Sequence, residues 1–435
     1  MEAIMSTTTL TSAWDAVLMN FLPVFTQPTA PLFVNLVTGW ILCTGRRTIT
    51  GILPFADPTG KRPHDAYHRL FGKSRWQPCD LWKRLAEWLI GLFYPTGMIW
   101  LDLDDTVFHH TGRKIDGAAW WRDAVRSTAA KVVHCWGLNL VVLTLRVNPP
   151  WGGEPLGLPI NMRLHRKHGP TLNDLAEQML QEVRQWFPKR AFTVGADGFY
   201  ANLIGRERAA IHLVSRIRHD AAIYDLPKKK PSHRRGRQSQ KGKRLPTPAQ
   251  MASRTQSWQR VKTRERGKIR YRLVVAKLVI WHKVSVAPVQ LVISRDPAGK
   301  EKDDFFVTTD LTLTPAQVIG GFAGRWCIED TFKNVKQSLG SQEPQTWKGK
   351  GPERAAVIGL FLYSVTWAWY LRYGYRKLKF PIPPWYTIKT HPSFQDALAA
   401  LRRVLWRKRI IAMFGNHTVP ARITEFLINA VATAA

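Results

Sequence analysis

The sequence predicts an α/β fold, a mixed sheet flanked by helices, with a strand-rich insertion and helical amino- and carboxyl-terminal regions. Three observations predict it. Apolar runs of strand length follow one another from Met98 to Leu164. An amphipathic helix then separates them from two more strands, and a second group of strands precedes a long helix near residue 314. At 435 residues the chain exceeds the size at which one core keeps growing, so a central domain with appended units is expected.

Residues 1–97 read as a small helical domain. Apolar helical patterns at Trp14–Phe25, Leu32–Leu42 and Leu81–Phe93 alternate with basic connectors such as Arg46-Arg47 and Lys61-Arg62. Such helices suit contact with a DNA backbone, and equally a plain cap over the core, because no helix-turn-helix signature is present. From Gly97 the pattern becomes strands: Met98–Leu103, Val132–Val147 as one or two, and Leu158–Leu164. Thr171, with Asp174 three residues on, caps a helix whose apolar face is Leu175, Met179, Val183 and Trp186. Ala191–Gly195 is a buried strand leading to Asp197, a short helix starts near Tyr200, and Ala210–Ile217 is another strand.

Between Asp225 and Glu265 there is no acid, and Arg234, Arg235, Arg237, Lys241, Lys243 and Arg244 accumulate there, which reads as a mobile basic loop over 228–264. Strands follow at Tyr271–Trp281, Val289–Ser294 and Phe305–Thr308, so the loop belongs to an insertion over 218–312. Thr314-Pro315 opens a long helix that Gly340 closes. The rest is helical and ends in the basic cluster Arg402–Arg409; its uncharged stretch Ala355–Leu371 is at the short limit for a membrane span and reads as a buried core helix.

Composition narrows the function. The 64 Lys and Arg against 31 Asp and Glu leave a net charge of +33, spread over every region, which calls for a polyanionic partner and fits nucleic acid better than a membrane surface. The four cysteines, Cys43, Cys79, Cys135 and Cys327, are far apart, without zinc or disulfide spacing, and read as reduced core residues. With Glu2 and Asp15 and no basic-then-apolar leader pattern, the expected compartment is the cytoplasm.

Cutting and joining DNA strands requires an activated water or 3′-hydroxyl and a stabilised leaving oxygen, work suited to two divalent ions held by carboxylates. Three acids are placed for this. Asp104 follows an apolar strand in Leu101-Asp-Leu-Asp-Asp-Thr; alternation puts Asp102, its nearest rival, on the same face and Asp105 on the other. Asp197 ends a strand ahead of Gly198, where it could equally be a helix cap. Glu329 shares one helical face with Phe322, Arg325 and Lys336, within about 60° at 100° per residue. That stripe is either a solvated face with an Arg325–Glu329 ion pair or a metal ligand bracketed by phosphate-binding cations.

At this helix the chain resembles the insertion-sequence transposases of the Asp-Asp-Glu type, whose signature is Tyr, two residues, Arg, three residues, Glu, six residues, Lys. Phe322, Arg325, Glu329 and Lys336 stand at those positions, with Phe in place of Tyr. Asp104 in Asp-Asp-Thr and Asp197 in Ala-Asp-Gly-Phe-Tyr resemble the first two acids, and the resemblance covers roughly 98–340. It implies a ribonuclease H-like catalytic core (98–217 and 313–375), a basic strand-rich insertion (218–312), a helical DNA-binding domain (1–97) and a basic helical end (376–435). It also implies Asp104, Asp197 and Glu329 holding two Mg2+ ions, with Mn2+ as a substitute, and acting on double-stranded DNA at element ends and target, as a homodimer in a synaptic complex near the bacterial nucleoid. Arg325, Lys333 and Lys336, with the basic loop, would hold DNA phosphates.

Two other readings compete. Leu101-Asp-Leu-Asp-Asp-Thr-Val also resembles the first motif of haloacid-dehalogenase-like phosphatases, with Asp102 as nucleophile and Thr144 in the second motif, although no paired acids follow the later strand. A catalytically silent, DNA-binding derivative is the other. Trp258 and Trp281 read either as bases' stacking partners or as core.

Overall fold

The computed structural model describes residues 2–123, 126–128, 130–206, 211–228, 237–378, 380, 382, 385, 388–414 and 421–433. Arg234 and Arg235 lie outside them.

Five helices come first: α1 (Glu2–Met19), α2 (Ala30–Leu42), α3 (Ile49–Ala56), α4 (His64–Gly72) and α5 (Pro78–Phe93). They lead to β1 (Ile99–His109), β2 (Ala119–Arg122), β3 (His134–Val147), β4 (Leu156–His165), α6 (Leu172–Trp186), β5 (Phe192–Ala196) and β6 (His212–Arg216), with a 3-10 helix over Gly198–Gly205. Next are α7 (Pro248–Arg254), β7 (Gln259–Glu265), β8 (Lys268–Ile280), β9 (Pro288–Arg295) and β10 (Asp304–Thr308). The chain closes with α8 (Pro315–Gly324), α9 (Cys327–Gln337), α10 (Gly351–Trp369), α11 (Phe394–Phe414) and α12 (Ala421–Thr433).

All ten strands form one sheet in the order β2-β3-β1-β5-β6-β10-β9-β8-β7, with β4 also paired to β3. Strands β1, β3 and β4 are antiparallel neighbours, whereas β1, β5 and β6 run parallel, β1 and β5 being bridged by α6 in the manner of a crossover unit. This is the mixed sheet expected of a ribonuclease H-like core. The strands of the insertion do not make a sheet of their own: β10 pairs with β6, and β9, β8 and β7 extend the same sheet outward, leaving β7 at its edge.

Helix α10 is buried along its length, and the amino-terminal helices pack round it in the same hydrophobic core as the sheet. Phe21 and Phe33 meet Phe361, Arg354 donates to the Phe71 carbonyl, and Trp40 donates to the Leu339 carbonyl. Gly351–Gly374 is long and apolar enough to cross a membrane, but 94% of its most apolar window is buried inside the protein.

Several expectations need correction. Strand β1 does not stop at Leu103 but runs on to His109, because it is paired on both sides for part of its length and with β3 throughout Leu101–His109. The helix from Trp14 ends at Met19, and Pro23 sits in a separate 3-10 turn. The basic stretch is not all loop: Thr247 and Gln250 form a capping box on α7, and Gln259–Glu265 is strand β7. The single long helix after Thr314 is two helices, parted at Arg325 and Trp326.

Candidate active site

The three aspartates of β1 have different surroundings although they fall within four consecutive residues. Asp102 is fully buried and ion-paired with Arg146 of β3, whose Nε lies 2.9 Å from its Oδ2 and whose Nη2 also reaches it. The Cys327 thiol donates to the same carboxylate at 3.3 Å. Asp105 points to the opposite face, where the Tyr200 hydroxyl donates to it at 3.0 Å; burial holds its carboxyl above the usual range. Asp104 shares Asp102's face but stands nearer solvent, and Arg325 Nη1 is 2.6 Å from its Oδ2. Burial pushes the Asp104 carboxyl up to about 7, against the opposing pull of Arg325.

The parallel register sets Leu103 opposite Ala196, so the next residues, Asp104 and Asp197, emerge side by side. Asp197 is exposed and accepts from the Gly198 amide at the start of the 3-10 helix. Glu329 comes from the first turn of α9, where Arg325 Nη2 lies 3.4 Å from its Oε1. Burial raises its carboxyl, while Arg325 and then Arg266 draw it down. One guanidinium therefore spans Asp104 and Glu329, and the Asp197 charge acts on both acids.

The end of α8 packs tightly against the sheet. The Asp102–Arg146 pair fills the space between the sheet and the helices so closely that an added Cβ would sit 2.8 Å from Asp102 Oδ1 at Gly195 and 2.5 Å from Arg146 Nη1 at Gly324. Arg325 follows this glycine in a tightened turn, its backbone still right-handed helical and its amide bonding Phe322 three residues back, and its side chain reaches Asp104. This buried pair also disposes of the phosphatase reading. Asp102 is 0% exposed, its charge is committed to Arg146, and Thr144 is buried beside it with its hydroxyl on the Asp102 carbonyl, so no nucleophile faces a substrate.

Beside Asp197 a cavity of about 200 Å3 opens towards the insertion, lined by Arg216, Arg266, Arg272, Phe322 and Trp326 among others. The β7–β8 hairpin forms its far wall. Arg266 and Gly267, at φ 48° and 73°, make the two-residue turn that matches strand twist, and a side chain at Gly267 would strike the Gly153 backbone. The turn lays the Arg266 guanidinium 3.6 Å from the ring centre of half-exposed Trp326. Glu265 and Glu301 hold Arg272 beneath. Arg146, Arg266, Arg216 and Trp326 were not singled out from the sequence, since none lies at a motif position.

The remaining predicted residues are dispersed. Phe322 packs on Phe306 at the cavity wall, and Lys333 is exposed on α9. Lys336 is half-buried two turns beyond Glu329, over the far end of β1, within electrostatic reach of His109, Asp123 and Cys135. Arg237, Lys243 and Arg244 are exposed, and Lys241 lies over the Tyr224 ring. Trp281 is buried, and Trp258 is half-buried under Arg295. All four cysteines are free thiols. Among the described residues, the group of three whose ligand atoms all lie within 4.8 Å of one another is His109, Asp123 and Cys135; Asp104, Asp197 and Glu329 are not gathered that closely, and Arg325 stands between two of them.

A family model described as DDE superfamily endonuclease matches residues 20–270, more than half the chain. The match contains Asp104 and Asp197 and ends before Glu329. No curated protein matches the sequence.

Proposed function

We propose, from the premise that this chain belongs to the DDE superfamily endonucleases and acts on DNA, that it is a transposase cleaving strands at the ends of a mobile element and joining them to a target. The observation that carries this reading is that one guanidinium, Arg325, spans Asp104 of β1 and Glu329 of α9, with Asp197 after β5 beside Asp104 and on the same cavity as Arg325. The signature of Arg325, Glu329 and Lys336, with Phe322 for Tyr, is the finer part of the same reading.

A hard divalent cation fits this donor set, which is carboxylate oxygen throughout and includes a buried acid whose ionisation is costly until a cation shares its charge. Asp104, Asp197 and Glu329 would hold two Mg2+ ions, or Mn2+ in their place, which when bound activate the attacking oxygen and stabilise the leaving one. Arg325 bridges Asp104 and Glu329 in the metal-free protein, and with cations held by these acids it would be free to grip a phosphate of the strand being cut. The cavity lined by Arg216, Arg266, Phe322 and Trp326 receives the strand next to Asp197. Arg237, Lys241, Lys243 and Arg244, with Lys333 and Lys336, hold the duplex backbone, a contact that weakens steeply with salt.

In this reading residues 1–97 form the helical DNA-binding unit, 98–217 and 313–375 the catalytic core, 218–312 the insertion and 376–435 the basic end. The protein works in the cytoplasm, at the nucleoid, as a homodimer that brings two ends together. The test uses duplexes carrying the DNA that flanks the gene, with Mg2+: wild type nicks and joins them, and Glu329→Gln binds them without cutting. Cleavage unchanged in Glu329→Gln sinks the assignment, and wild-type binding without any cleavage makes the chain a silent derivative.

A further inference from the structure

We propose that His109, Asp123 and Cys135 form a second metal site, for a divalent cation of the zinc class, separate from the acid site. Their ligand atoms all lie within 4.8 Å of one another. The three residues come from neighbouring strands of the sheet: His109 ends β1, Asp123 follows β2, and Cys135 lies near the start of β3. Backbone hydrogen bonds fix each of them, since the Asp123 amide donates to Val133 at 2.8 Å, Cys135 pairs with Trp121, and His109 pairs with Gly137. His109 and Cys135 are therefore held by the sheet, and Asp123 by its backbone bond one residue beyond β2.

Its chemistry differs from that of the acids. Imidazole, thiolate and carboxylate together form a borderline-soft set suited to zinc, whereas Asp104, Asp197 and Glu329 offer only hard oxygens. Asp123 and Cys135 are buried, at 6% and 7% exposure, while His109 is exposed, so three protein ligands would face a position open to solvent. His109 Nε2 lies 3.7 Å from Asp123 Oδ2, and no described acid of the catalytic group takes part. His109 stands five positions along β1 from Asp104, about 16 Å of strand.

Two cations attend the cluster now. Arg126 Nε is 2.7 Å from Asp123 Oδ2, and Lys336 approaches from α9. Arg126 already pairs with the Asp123 carboxylate, so a divalent ion binding there would displace it. The competing role, a structural ion-pair network with no affinity for metal, is the outcome that overturns the proposal.

The experiment is a cobalt titration of the full chain, stripped with chelator and kept in excess Mg2+ so that the carboxylates of the acid site are occupied. The expected result is a near-ultraviolet thiolate-to-cobalt absorption that saturates at about one cobalt per chain and is bleached by zinc. Glu329→Gln and Cys79→Ser should leave it unchanged, and Cys135→Ser and His109→Ala should abolish it. A folded wild type with no such band overturns the proposal without any variant, and so does a band that survives Cys135→Ser. Because the readout is spectroscopic, it stands or falls separately from DNA cleavage.

Discussion

Strand β1 and helix α9 lie against one another, and the two ends of that contact are built differently. At one end Asp104 and Glu329 share the guanidinium of Arg325, above the buried Asp102–Arg146 pair. At the other, Lys336 hangs over His109, Asp123 and Cys135. Both ends carry carboxylate and both are met by a cation from the same stretch of chain, Arg325 and Lys336, eleven residues apart. The first end is oxygen only and its acids stand apart; the second mixes nitrogen, sulfur and oxygen and is already gathered. Proximity in the metal-free protein is thus no guide to which end does chemistry. Acids with like charge and costly burial separate until a cation joins them, whereas neutral imidazole and thiol groups can sit together beforehand.

The comparison breaks most visibly at Glu329. Glu329→Gln should lower strand cleavage by about a thousandfold or more, with DNA affinity and the cobalt band intact; losing both together would mean the two ends are one site. Next in size is Asp102→Ala, which leaves Arg146 charged, buried and unpaired. It should cost about 3–5 kcal/mol of stability, read as a shift in the denaturant midpoint, while Asp104→Asn, whose partner Arg325 keeps Glu329, costs far less. Equal losses would show that the buried pair is not the support of the acid end. Gly324→Ala pushes a methyl against Arg146 and should destabilise by about 1–3 kcal/mol, with cleavage falling further than stability explains because Arg325 is moved; unchanged cleavage at full folding would separate the packing at Gly324 from function.

The smallest effect concerns pH. The Asp104 carboxyl titrates near 7 in the folded metal-free protein and near its ordinary 3.8 when unfolded. The folded state holds the extra proton between these values, so this contribution to stability is fully present below about 3.8 and is lost as pH rises through about 7. Asp104→Asn should flatten the decline in thermal midpoint between pH 5 and 8 in chelator. A decline of the same depth in the variant would assign it to another group.

What the sequence made legible was local. Thr171 with Asp174 and Thr314 ahead of Pro315 carry their own capping chemistry, and both open helices as read. Strand alternation alone separated Asp105 from Asp102 and Asp104. It could not separate Asp102 from Asp104, because the residue that does so, Arg146, comes from β3, across the sheet. The tight packing at Gly324 was hidden for the same reason: the glycine looks permissive in sequence, and the side chain that presses on it is again Arg146. His109, Asp123 and Cys135 have no motif spacing, since strand pairing and not chain proximity assembles them. The insertion was legible as strands, but its merger with the core sheet depends on β10 choosing β6, which no local signal records.

The edge strand β7 bears Arg260, Lys262 and Arg264, all exposed, at every second position. Among the described residues no strand pairs with β7 beyond β8, although α8 packs against it, so the sheet ends in a border on which another chain could add, and the hazard is greatest for newly made protein that has not yet met nucleic acid. A row of like charges on that border makes a second copy repel at this edge, so the feature that suits the rim to a polyanion also keeps it from self-adhesion. Neutralising the three side chains together would then be felt first in yield, as insoluble protein, before any loss of enzymatic work could be measured.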